Sequence, residues 1–264
     1  MKVYISADIE GVTGVSHWDE TELSKGDSYT AREQMTAEVV AASEGALQAG
    51  ATEIWVKDAH DSGRNIIADR LPGEVKLIRA WSGHPFTMLQ ELDSSFHSLA
   101  LIGYHSGAAS GGSPLAHTMT GNIAWLKING SFASEFLMCA YTAALIKVPL
   151  VFVSGDQELC DTVSQFNNDI TAVAVKRGVG NSTINIHPGL AVDCIREGMA
   201  KGVNHAAQCQ IPLPEHFSVQ VQYRHAHRAY QYGFFPGAKQ IDNITVGFEH
   251  DDYFEVLRFL LFAL

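Results

Sequence analysis

The run "YISADIEG" at residues 4–11 begins as an apolar strand and ends with two carboxylates, Asp8 and Glu10, separated only by Ile9. Residues i and i+2 of a strand share a face. Two ionised carboxylates on one face repel each other unless a cation lies between them. Later strand-like runs end in similar residues. "EIWVKDAHD" closes on Asp58, His60 and Asp61, "LALIGYHSG" closes on His105, and Glu135 opens a helix-like segment. Carboxylate oxygens with imidazole nitrogens suit zinc, and also manganese or iron. Asp8, Glu10, His60, His105 and Glu135 are five candidate metal ligands. A single catalytic zinc normally uses three protein ligands and a water, so five fit two metals sharing a bridging carboxylate.

Each residue also has an ordinary reading. Asp8 could cap the next segment and Glu10 could be solvated. His60 could bond to Asp58 or Asp61, either of which could equally orient it toward a metal. His105 could make a local hydrogen bond, and Glu135 could be a first-turn acid favoured by the helix dipole. The signal is their joint placement at strand ends. His117, in the loop "SPLAHTMTG", is a candidate further ligand, general acid/base or oxyanion donor, or else a surface histidine. "GVGN" lacks the Lys-Ser/Thr of a phosphate loop, and no G-x-S-x-G elbow anchors a serine hydrolase.

The elements that must position these groups alternate. Strands are predicted at Val3–Ala7, Glu53–Lys57, Val75–Ile78, Leu99–Gly103, Leu150–Ser154 and Thr171–Val175. Helical periodicity covers Tyr29–Gln48, ending at Gly50, and extends to "HPFTMLQELD" and "ASEFLMCAYTAALI". Near-continuous apolar strands alternating with helices predict an α/β fold, a mostly parallel sheet covered by helices. In such sheets sites form at the carboxyl ends of the strands. One insertion, residues 122–134, alternates in polarity around Asn129-Gly130 and predicts a two-residue hairpin turn. A metal-binding domain over 1–165 and a smaller α+β domain over 166–264 are expected. The latter holds "FSVQVQY", "NITVGFEH" and a closing helix.

The 264-residue chain is 46% hydrophobic, enough for a large core, and its formal net charge is -11. No basic cluster tracks phosphates, so nucleic acid is not an expected partner. The four cysteines, Cys139, Cys160, Cys194 and Cys209, form no C-x-x-C pair and read as reduced thiols of a cytoplasmic protein. No signal peptide is visible, and no apolar run approaches the roughly 20 residues of a membrane span.

"ADIEG", "KDAH", "GYH", "AHTM" and "SE", in that order, resemble the D-aminopeptidase DppA family of zinc metallopeptidases. "MTAEV" and "VSGD" extend the resemblance, which is densest through residue 156. It implies a two-zinc centre on Asp8, Glu10, His60, His105 and Glu135, with Asp8 bridging and His117 catalytic. It also implies release of N-terminal D-amino acids from short peptides, and a homo-oligomer, a decamer of two stacked pentameric rings. Two alternatives stay open: another metal-dependent amide or phosphoester hydrolase, and a cytosolic peptide-binding protein. Against phosphate, only Lys57 and Arg64 are basic near the candidate ligands in sequence.

Overall fold

The computed structural model describes residues 1–264. Its first half contains β1 (Lys2–Ala7), α1 (Ser28–Gln48), β2 (Glu53–Asp58), β3 (Val75–Ile78), β4 (Ser98–Tyr104), β5 (Ile123–Ile128) and β6 (Ser131–Phe132). There follow α2 (Glu135–Leu145), β7 (Leu150–Asp156), α3 (Gln157–Phe166), β8 (Thr171–Val179), β9 (Ser182–Asn185) and α4 (Pro188–Asn204). The chain ends with β10 (Phe217–Tyr223), α5 (Ala226–Tyr232), β11 (Lys239–Gln240), β12 (Thr245–His250) and α6 (Tyr253–Ala263).

Seven strands form the main sheet in the order β3-β2-β1-β4-β7-β8-β9. All its pairs are parallel except β8 with β9. Every residue of β4 and β7 is buried, as expected of central strands covered on both faces. A second, antiparallel sheet has the order β11-β12-β10-β5-β6. The expected α/β architecture with a smaller antiparallel sheet is therefore present. A cut at residue 165 crosses both sheets, however. β8 and β9 lie beyond it yet extend the parallel sheet, while β5 and β6 lie before it yet pair in the antiparallel one.

The β5–β6 hairpin turns at Asn129 and Gly130, both with positive φ (52° and 82°), as a type I′ turn requires. One expected helix is absent. "HPFTMLQELD" forms only a 3-10 turn at Thr87–Leu89. Its carbonyls are claimed from across the fold: the Ser6 hydroxyl donates to Met88 O at 2.8 Å and the Tyr4 hydroxyl to Gln90 O at 2.5 Å. Thr87 and Glu91 also adopt positive φ, which a right-handed helix excludes.

Close approach at the carboxyl edge of β1 and β4 depends on two glycines. A side chain at Gly11 would collide with the Tyr104 carbonyl, and Gly103 has a φ of 68° with the Asp8 carbonyl in the space a Cβ would occupy. All four cysteines are free. No helix is long and apolar enough to cross a membrane.

Candidate metal centre

Asp8, Glu10, His60, His105 and Glu135 meet at that edge, all buried. The route differs from the expected pleat. β1 ends at Ala7, and the chain then turns, with Val12 N donating to Ile9 O and Gly11 N to Gly103 O. Asp8 and Glu10 converge through this turn rather than by sharing a strand face. The turn is held from below by Lys176 of β8, whose buried ammonium donates to the carbonyls of Glu10 and Val15. Glu38 of α1 accepts from Thr13 N at 3.0 Å.

His60 follows β2. Neither Asp58 nor Asp61 bonds its ring. Instead Nε2 lies 2.9 Å from the Thr21 carbonyl, leaving Nδ1 3.2 Å from Asp8 Oδ1 and 3.0 Å from Glu10 Oε2. Asp58 shapes the loop backbone, accepting from Asn65 N, Asn65 Nδ2 and Ile66 N, and Asn65 Nδ2 also donates to His60 O.

His105 follows β4. Its Nδ1 lies 2.9 Å from the Ser106 carbonyl, so Nε2 points at Glu135 Oε2 (3.3 Å) and Asp8 Oδ2 (3.5 Å). Ser106 is fixed in turn by Asp156 at the end of β7. The carboxylate accepts from Ser106 N at 2.7 Å and from the Ser106 hydroxyl, and caps α3 through Leu159 N. Glu135 is the first residue of α2, behind the N-cap Ser134, and accepts from Met119 N at 2.6 Å.

His117 joins the cluster. Its Nδ1 sits 2.9 Å from the Leu115 carbonyl, and Nε2 is 3.8 Å from Glu135 Oε1 and 4.0 Å from Glu10 Oε1. Its ring stacks on His105 with centroids 4.5 Å apart, and Trp18 meets it edge-on at 5.2 Å.

All three imidazoles thus share one arrangement. One nitrogen is tied to a backbone carbonyl, which a neutral ring satisfies with its only N–H. The other nitrogen then presents a lone pair to buried carboxylates, an unfavourable meeting unless a proton or a metal lies between them. His105 Nε2 and Glu10 Oε2 are both buried and without a hydrogen-bond partner. With protons alone to fill the gap, burial disfavours the charged imidazoles, yet Glu10 raises the pKa of His60 and Glu135 that of His105 well above the ordinary range. Burial, with Glu10 beside it, pushes Asp8 up to about 6. Burial also opposes ionisation of Glu135, but His105 outweighs it and holds that carboxyl at about 2.

Three groupings bring potential donor atoms within 4.8 Å of one another: Asp8, Glu10 and His60; Asp8, His105 and Glu135; and Glu10, His105 and His117. Asp8 is common to the first two. The all-oxygen-and-nitrogen donor set, the orphaned lone pairs and the pinned tautomers fit a divalent transition metal such as zinc.

A family profile described as D-aminopeptidase matches residues 1–262, and the chain belongs to that family of hydrolases. Among its relatives, a D-aminopeptidase of Bacillus subtilis (strain 168) is 26% identical over 265 residues, spanning 99% of this chain and 96% of the relative. A solved structure described as the Zn-dependent D-aminopeptidase DppA from Bacillus subtilis, a self-compartmentalizing protease, superposes with a TM-score of 0.92 at 25% identity. It covers all of this chain and 96% of its own.

Sequence reasoning did not single out Thr21, Asn65, Ser106 or Lys176. Lys176 had a readable signal, a cation ending the otherwise apolar run "TAVAVK". Thr21 and Ser106 act on the histidines through backbone carbonyls, which no side-chain pattern reveals.

Proposed function

We propose that this chain is a zinc-dependent aminopeptidase that removes N-terminal residues, of D configuration, from short peptides. The observation that carries this reading is the set of three imidazoles pinned by backbone carbonyls with their free nitrogens aimed at three buried carboxylates. Asp8, Glu10 and His60 would hold one zinc, and Asp8, His105 and Glu135 a second, with Asp8 shared. Metal bound there supplies Lewis-acid activation of a water and of the scissile carbonyl.

The chain's own groups do the rest. Glu10 and Glu135, with Asp8, supply the negative charge that retains divalent cations there. His117, fixed through Nδ1 by Leu115, accepts a proton at Nε2 from the attacking water and returns it to the leaving amine. The cleft above these groups, about 310 Å³, admits a short peptide end and not a folded chain. The relative's description as self-compartmentalizing supports assembly with other copies of this chain, proposed as two stacked pentameric rings. Size-exclusion chromatography with light scattering tests it, and a monomer would reject it.

The experiment for the activity is chelation followed by zinc add-back, with D-Ala and L-Ala dipeptides assayed side by side and bound zinc counted. Zinc-restored cleavage of the D-Ala peptide with two metals per chain is expected. Activity that persists through complete chelation would refute the metal, and equal rates on both peptides would refute the stereochemical preference.

A further inference from the structure

Trp81 borders the cleft of the metal centre and is 40% exposed, yet it is clamped. Its Nε1 donates to the Asp61 carbonyl at 2.6 Å. One face of its ring covers the ammonium of Lys57, 3.9 Å from the ring centroid. That ammonium is spent on the carbonyls of Asp58 and Ala80, at 2.6 and 2.7 Å, and Lys57 is itself fully buried. Ala80 N donates to Gly63 O at 3.0 Å, closing the bracket. An aromatic ring fixed this way loses little conformational freedom when a ligand lies against it.

The charge lining the cleft has one sign. Besides the buried Asp8, Glu10 and Glu135, the cleft is lined by the exposed Glu22 and Asp61, and by no lysine or arginine. Bound metal offsets the inner three carboxylates and leaves the outer two free. Glu10, whose buried Oε2 has no hydrogen-bond partner, lines this same cleft.

We propose that Trp81 is a specificity-determining platform for the substrate residue that follows the scissile bond. We infer that Asp61 and Glu22 beside it make the cleft select a neutral or cationic residue there and discriminate against one bearing a carboxylate. The inference rests on the aminopeptidase reading of the site. Lys57 is a positioning residue, since it acts through the Trp81 ring and the Ala80 carbonyl.

The test uses the zinc-loaded protein and three C-terminally amidated dipeptides, D-Ala-D-Lys, D-Ala-D-Leu and D-Ala-D-Glu, so that the only substrate carboxylate is the side chain. The D-Glu peptide is expected to have a kcat/KM at least about tenfold below that of the D-Lys peptide, mostly through KM. In the double variant Glu22→Gln, Asp61→Asn the gap narrows to within about threefold, because the like-charge repulsion is gone. Trp81→Ala raises KM for the D-Lys and D-Leu peptides by about tenfold, and Trp81→Phe restores most of the loss. Equal kcat/KM across the three peptides, or a gap unchanged in the double variant, would overturn the proposal. If none of the peptides is cleaved, the aminopeptidase reading is what fails. The same peptides titrated against tryptophan fluorescence then decide the inference separately, and equal Kd for the D-Lys and D-Glu peptides would reject it.

Discussion

Asp156 touches no candidate ligand, yet replacing it should weaken metal binding. Its fully buried carboxylate takes three hydrogen bonds, from Ser106 N, the Ser106 hydroxyl and Leu159 N. The first two fix Ser106, the residue whose carbonyl receives His105 Nδ1. Asp156→Asn keeps the volume and one acceptor oxygen but places an N–H₂ group against Ser106 N in one orientation, or against Leu159 N and the Ser106 hydroxyl in the other. With hydrogen bonds to a charged group worth about 1.5–3 kcal/mol each, losing the equivalent of one or two destabilises the protein by about 1.5–6 kcal/mol. The loosened His105 should cost about 10–100-fold in zinc affinity, the usual effect of removing a group that orients a ligand. Urea unfolding of the metal-free protein reads the first quantity. Competition with a chromophoric chelator, on protein shown by near-ultraviolet circular dichroism to be folded, reads the second. Zinc affinity within twofold of wild type in a folded variant would show that Ser106 does not depend on Asp156 to hold His105, and the reasoning would fail.

His117→Ala should keep its zinc while turnover falls by about 10²–10⁴-fold, the usual contribution of a general acid–base; normal turnover would remove His117 from the chemistry. Asp8→Ala should leave metal analysis near zero at both positions, because Asp8 belongs to both donor groups; full occupancy would contradict a shared carboxylate. Zinc uptake should release protons. His60 and His105 have pKa values raised well above the ordinary range and Asp8 sits at about 6, so the metal-free site holds protons that a cation must displace. The sign follows: raising the pH from 6 to 8 strips the proton from Asp8, and apparent zinc affinity rises, while the histidine protons remain for the cation to displace. Calorimetry in buffers of different ionisation enthalpy counts the protons released, and a count of zero would refute the linkage.

Much of the fold was legible because its causes are local. Apolar runs of the right length marked the parallel strands, Asn129-Gly130 marked a hairpin whose φ values only such residues adopt readily, and the periodicity of Tyr29–Gln48 marked α1 to within a residue. The segment around Thr87 was misread because its carbonyls bond to the side chains of Tyr4 and Ser6, over eighty residues away in sequence. The assignment of strands to sheets was equally hidden. β5 and β10 are paired by long-range hydrogen bonds, and no composition change near residue 165 records that pairing.

The candidate centre divides in the same way. The residue types after the strand ends, Asp8, Glu10, His60 and His105, were set by the sequence alone, because a parallel sheet brings its strand ends to one edge whatever the details; His117 joins them from a loop and Glu135 from the start of α2. Which nitrogen of each imidazole faces the carboxylates was decided only by tertiary structure. Thr21, Ser106 and Leu115 make that choice with backbone carbonyls, and a carbonyl carries no mark of its direction until the chain around it is folded.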